Sequence, residues 1–304
     1  MNTTDKSPSP PATRDCLLVL GVHRSGTSAL AGLLAHLGCG VPVKSSPADE
    51  NNEKGYFEPT RVWGLNDIIL DTLGGRWDGW RPVDSATLDK TQFRDFRARA
   101  RHILREEFRD DPLIVLKDPR ICQLVPFWLE VLGFAGFTPR LILTHRNPVD
   151  VAASLNRRNG FDLSLGLWIW LNHVLAAEIA TRGMTRVFTS YDRVMRDWQH
   201  EAGRIEQGLG VTLPGLVDGA AAQVGDFLSP DLKHFGSDAR TTLKNPALPG
   251  WIARVFSTLD RWAEGGERAG DYAALDRIRT AFTAGTKSQL IFPAHELLEG
   301  DGEG

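Results

Sequence analysis

Cysteine, net charge and long apolar runs are all scarce in this chain, and each scarcity removes a class of protein. Its three cysteines, Cys16, Cys39 and Cys122, are an odd and widely spaced set in 304 residues. Such a set does not build a disulfide framework, so reduced thiols and a cytoplasmic location are expected. Lys and Arg number 35 against 38 Asp and Glu, for a net charge of -3; no overall pull towards nucleic acid or an anionic membrane follows. An anionic ligand must therefore meet a local cluster of cations. The opening residues MNTTDKSPSPPATR hold no apolar signal core, and no later run is expected to reach the roughly 18 apolar residues of a membrane span. The eight histidines form no HxxxH or HExxH pattern and the cysteines no CxxC, so no metal signature is present. With 42% hydrophobic and 24% charged residues the chain can bury a sizeable core. One domain over 15–296 is expected, between a disordered tail at 1–14 and a flexible end at 297–304.

What is present is an alternation of short apolar runs and helical patterns. CLLVLGV (16–22), LIVLK (113–117), RLILT (140–144) and RVFTS (186–190) read as buried strands. Helix-period segments stand between them, at 26–37, 61–73 and 91–108. That order predicts an α/β fold, a mostly parallel sheet with helices on both faces, and ligands at the carboxyl ends of the strands. Beyond about residue 211 the pattern is helical and irregular. Residues 41–60, rich in Pro, Asn, Ser and charge, predict a long surface loop and a candidate active-site lid.

The first strand runs into Gly21-Val22-His23-Arg24-Ser25-Gly26-Thr27-Ser28 and then a helix, a setting in which backbone N–H groups and the helix dipole hold phosphate. Against the Walker pattern GxxxxGK[ST], the glycines and the last serine match, but Thr27 stands where the lysine belongs and the cation has moved to Arg24. A nucleoside triphosphatase needs that lysine on its β- and γ-phosphates. The run Arg24-Ser25-Gly26-Thr27-Ser28 instead resembles the 5′-phosphosulfate loop of sulfotransferases that use PAPS, 3′-phosphoadenosine 5′-phosphosulfate. Its arginine form is most similar to the tyrosylprotein branch and to many bacterial members.

A second run, RLILTHRNPVDVAASLNRR (140–158), reads strand, turn, helix, with Pro148 in the first helical turn and Asn147 as its cap. Arg146 at the strand end with Ser154 eight residues later resembles the family's 3′-phosphate motif, and Arg158 resembles a further arginine that the tyrosylprotein branch places on the same phosphate. Ser154 and Arg158, four apart, share a helical face. Tyr191-Asp192 resembles the family's Tyr-Glu pair, in which the tyrosine helps hold the donor. The resemblance spans roughly residues 16 to 200 and implies a P-loop-like three-layer α/β/α fold, a sheet of about four to five strands and a helical C-terminal part.

It also implies transfer of a sulfuryl group from PAPS to an acceptor hydroxyl, with 3′-phosphoadenosine 5′-phosphate as product and no metal required. The implied partner is a small metabolite or carbohydrate acceptor, not nucleic acid or a membrane. Arg24 is the expected cation at the leaving group. Lys117, in a Lys-Asp-Pro run similar to that of the tyrosylprotein branch, is the second; its alternative is a structural pairing with Asp118. Arg120 is a weaker candidate for the same role and reads as structural. Glu58 resembles that branch's loop glutamate and is the expected general base, with Glu53 in reserve; the alternatives are a solvated loop carboxylate or a helix cap. His23 and His145 adjoin the two donor loops and read as turn-stabilising residues, with contact to the donor as the alternative. Trp63, Trp77 and Trp80 mark an acceptor entrance, Trp128, Trp168 and Trp170 the core, and 233–244 a loose candidate for a loop over the adenine. Two readings stay open beside this one: a P-loop kinase of small molecules with Asp118 as its metal aspartate, and a non-catalytic nucleotide-binding module.

Overall fold

The structure is a computed structural model that describes residues 14–50, 52, 54–84, 90–217, 219–228, 242, 244 and 248–287. Among them are four strands, β1 (Arg14–Leu20), β2 (Leu113–Lys117), β3 (Phe137–His145) and β4 (Arg186–Ser190), in one all-parallel sheet of order β2-β1-β3-β4. The expected α/β architecture is therefore present, with four strands. Burial alternates between the two faces of β1. Cys16, Leu18 and Leu20 point into one apolar cluster with Trp128, Trp170 and Trp262, while Leu17 and Val19 point into a second with Leu30, Leu33 and Ile205. A strand covered on both faces has no polar side, which is why it reads as a continuous apolar run.

Helices α1 (Thr27–His36), α8 (Trp198–Leu209) and α9 (Ala221–Phe227) cover the second face. The first is covered by α2 (Thr60–Thr72), α3 (Lys90–Glu107), α4 (Ile121–Phe134), α5 (Pro148–Asn159), α6 (Leu163–Thr181), α10 (Gly250–Gly265) and α11 (Tyr272–Lys287). The short α7 (Tyr191–Arg196) follows β4 directly. Helix α6 corrects one expectation: among the described residues it is long and apolar enough to cross a membrane by length and composition. Its polar residues are bonded inward, however. Asn172 Nδ2 donates to the carbonyls of Gly79 and Arg81, and Glu178 accepts from Arg182 and Arg186.

This topology carries every strand end to one rim. Leu20 of β1 lies in register with Leu143 of β3, Val19 with Lys117, and His145 with Ser190. The segments that follow the four strands, Gly21–Gly26, Asp118–Arg120, Arg146–Asn147 and Tyr191 onward, are therefore neighbours. The described residues of 41–59 form neither helix nor strand beyond isolated bridges. Their ends are pinned by an antiparallel bridge between Ser45 and Pro59 and by Ser46 N donating to the Glu58 carbonyl at 2.9 Å. Four earlier expectations fall outside the described residues in whole or in most part: the tail at 1–14, whose last residue Arg14 opens β1, Glu53, most of 233–244, and the end at 297–304. Of the 233–244 segment Thr242 is described, buried, its hydroxyl accepting from Asn147 Nδ2 at 2.6 Å beside the Arg146 turn.

Candidate active site

The loop after β1 is a tight turn closed on the Val22 carbonyl, which accepts from both Ser25 N (3.2 Å) and Ser25 Oγ (2.6 Å). Two residues take left-handed backbone there, Arg24 at φ 66° and Gly26 at φ 86°. Gly26 needs to be glycine for a second reason. A Cβ on it would lie 2.4 Å from Cδ2 of Tyr191, whose ring packs on the loop. No described side chain caps α1 at Gly26, so the amides of the first turn remain directed at whatever sits above the loop.

Arg146 follows β3 and lies over the Tyr191 ring, its guanidinium carbon 4.5 Å from the centroid and its Nε 3.8 Å from Asp150 Oδ2. Asn147 caps α5 as expected, accepting from Val149 N at 3.1 Å. The two cationic loops meet directly: Arg24 Nε donates to Ser154 Oγ at 2.8 Å. Arg158, one turn further along α5, lies over Trp77 at 5.4 Å and donates to Asn159 Oδ1. Burial lowers its proton affinity, against the raising effect of the nearby Glu58 and Asp49 carboxylates. Burial lowers the proton affinity of Arg24, and the Arg158 and Arg146 charges lower it further. Cations held this close in a half-dry cleft favour an anion between them.

Lys117 does not pair with Asp118. Its Nζ donates to Glu58 Oε1 at 2.6 Å and to Ser28 Oγ at 3.0 Å, and the side chain is only 1% exposed. Asp118 is taken by the Arg120 backbone N–H and guanidinium at 3.0 Å and by Asn66 Nδ2 at 3.0 Å, while Arg120 also reaches Asp67 at 2.6 Å. Arg120 is thus paired with two carboxylates, and it also stands on the wall of the cavity between the two loops and the lid. Glu58 is 8% exposed, so it is not a solvated loop carboxylate, and α2 is entered from Pro59 without a side-chain cap. Burial raises the Glu58 carboxyl above the ordinary range, against the lowering effect of Lys117. Tyr56, beside it, donates its hydroxyl to Asp49 at 2.8 Å; burial first and then Asp49 push it up to about 12.

A cavity of about 960 Å³ is lined by both loops and the lid, with Arg24, Ser28, Glu58, Arg146, Arg158 and Tyr191 all on its walls. Trp77 and Trp63 line it too, but Trp80, expected beside them, is buried in the core. Trp128 and Trp170 are fully buried as expected, and Trp168 packs on the core stacked against Phe282. His23, in the loop after β1, stands on the cavity wall. It is 7% exposed, edge-on to Trp77 at 5.0 Å and to His173 at 6.0 Å, and its Nε2 has no partner among the described residues. Burial, then Arg120, hold it well below its ordinary value, hence neutral. His145, the other expected turn residue, is buried with its Nε2 3.7 Å from Asp260 Oδ1, a contact too long for a direct hydrogen bond that still holds the Asp260 carboxyl below its ordinary value. Phe227, against Phe57 at 5.9 Å, also lines the cavity without any local signal in the sequence.

No family model matches the sequence, and no curated protein matches it. Among solved structures, the crystal structure of a sulfotransferase from Mycobacterium avium is similar at 17% identity and a TM-score of 0.43, over 77% of this chain and 75% of that one.

Proposed function

We infer that the protein is a sulfotransferase that takes a sulfuryl group from PAPS and delivers it to an acceptor hydroxyl, on a carbohydrate or small metabolite. One observation carries this reading: Arg24 of the phosphate loop and Arg146 of the second cluster line a single cavity, and buried Ser154, behind its wall, joins the two through the 2.8 Å bond it accepts from Arg24. A ligand with phosphate at both ends of a nucleoside meets cations at both. The volume of about 960 Å³ is at the upper end of ordinary ligand pockets and suits a nucleotide with an acceptor beside it.

In the transfer the acceptor oxygen bonds to sulfur as the bond from sulfur to the bridging oxygen breaks, and that electron pair stays on the departing phosphate. Arg24 faces the phosphate end, and the α1 amides supply further positive potential there. Glu58 receives the acceptor proton; its raised proton affinity suits a base working near neutrality. The rival kinase reading needs Asp118 for a metal, and that carboxylate is fully buried and held by Arg120 and Asn66.

A thermal-shift comparison of 3′,5′-ADP, ATP with Mg²⁺, and buffer tests the donor. Stabilisation by 3′,5′-ADP is expected; stabilisation by ATP with Mg²⁺ alone overturns the reading. Transfer of labelled sulfate from PAPS to pooled metabolites then separates an enzyme from a non-catalytic binding module, and Glu58→Gln should remove transfer while 3′,5′-ADP still binds.

A further inference from the structure

We propose that Ser28, Lys117 and Glu58 form a relay through which an occupied donor site releases Glu58 to act as the base. This rests on the sulfotransferase reading and adds to it an order of events. Ser28 and Glu58 line the cavity, whereas the Lys117 ammonium lies behind them, bonded to both and 1% exposed. A phosphate arriving at the first turn of α1 therefore meets the Ser28 hydroxyl and the Glu58 carboxylate before it meets the cation. Phosphate and carboxylate repel each other and compete for one ammonium. Once Ser28 and Lys117 turn to the donor, Glu58 loses its partner at 2.6 Å.

The lid backbone is strained at this point. Phe57 sits between the two contacts, with the Tyr56 carbonyl accepting from Ser28 Oγ at 3.2 Å on one side and Glu58 held by Lys117 on the other. Its φ is 55°, a left-handed conformation that a bulky aromatic residue holds only under constraint. The same Ser28 and Lys117 supply that constraint, so the group that binds the donor also holds the lid. The charged groups that face Glu58 are Lys117 and Asp118 at the end of β2, Arg120 before α4 and Arg158 on α5. With Lys117 withdrawn, burial and Asp118 oppose the carboxylate charge, and Arg120 is already committed to Asp67 and Asp118. Glu58 then binds a proton more readily, as a base must when the acceptor hydroxyl gives one up.

Isothermal titration of 3′,5′-ADP into the full chain, in buffers of different ionisation enthalpy from about pH 5.5 to 8, reads the relay as proton uptake. The wild type is expected to take up a fraction of a proton. Glu58→Gln is expected to take up none and to bind the nucleotide about tenfold tighter, because no anion competes for Lys117. Lys117→Met is expected to take up none and to bind about tenfold more weakly; with the wild type it decides the matter even if Glu58→Gln misfolds. Uptake that persists in Glu58→Gln, or weaker binding by that variant, as a mere structural prop would give, overturns the relay. Binding without uptake in the wild type also overturns it, and leaves the sulfotransferase reading standing. A wild type that binds no 3′,5′-ADP sinks that reading itself.

Discussion

A single methyl group at Gly26 probes the contact that shapes the phosphate loop. Alanine would have to keep φ near 86°, which costs an L-residue about 1–2 kcal/mol. Its Cβ would also lie 2.4 Å from Tyr191 Cδ2 and 2.9 Å from two further Tyr191 carbons. Retreat of the ring is blocked, because Tyr191 is buried and Arg146 lies 4.5 Å from its centroid; overpacking of this kind costs about 1–3 kcal/mol. Gly26→Ala should therefore lose about 2–5 kcal/mol, a drop of roughly 3–8 °C in Tm for a chain of this size. The two contributions separate in a double-mutant cycle with Tyr191→Ala, since the smaller partner removes the clash and leaves the backbone penalty. Urea denaturation should show the double variant about 1–3 kcal/mol more stable than the sum of the singles predicts. Additive singles, or a Gly26→Ala protein as stable as the wild type, would refute the packing of Tyr191 on the loop and with it the shape assigned to the donor site.

Ser154→Ala removes the acceptor of Arg24 Nε, and calorimetry should show 3′,5′-ADP binding about five- to tenfold weaker, the value of roughly one hydrogen bond. Glu178 holds Arg182 and Arg186 outside the cavity, and Arg186 is 1% exposed with Glu267 as its other partner. Glu178→Ala should then cost about 2–4 kcal/mol in urea denaturation, somewhat below the usual penalty for a stranded buried charge because Glu267 remains, with nucleotide affinity unchanged. His173 is fully buried, its Nδ1 donating to the Ile169 carbonyl at 2.8 Å, and burial lowers it to about 4. The unfolded chain binds a proton on this residue below about pH 6.5 that the folded chain refuses, so stability is untouched above that pH. It should fall by up to about 3 kcal/mol as the pH drops towards about 4. His173→Asn should flatten that acid slope, and an unchanged slope would assign it to other groups.

How far the sequence can be read depends on whether a feature is local. LIVLK and RVFTS coincide with β2 and β4, because a strand buried on both faces leaves an unbroken β-branched run. β3 begins at Phe137, earlier than its apolar run, since Pro139 and Thr138 hide a pairing with β1 that includes Cys16 opposite Pro139. Trp77 and Trp80 share one Trp/Gly-rich loop, yet one lines the cavity and the other fills the core; a loop has no period to say which side each takes. Glu58 and Lys117 were each legible as candidates but not as a pair, because 59 residues and the path of the lid separate them.

The bond from Arg24 to Ser154 lies in neither motif taken alone. In chain order β2 comes between β1 and β3, whereas in the sheet β2 sits on one side of β1 and β3 on the other. The chain therefore leaves β1 and β3, neighbours in the sheet, towards the two different faces, through α1 on one and α5 on the other. Such a reversal opens a crevice at the carboxyl ends of the two central strands. Gly21–Gly26 and Arg146–Asn147 are the segments that emerge at that crevice, so the topology alone requires the two cationic motifs to face one another across it.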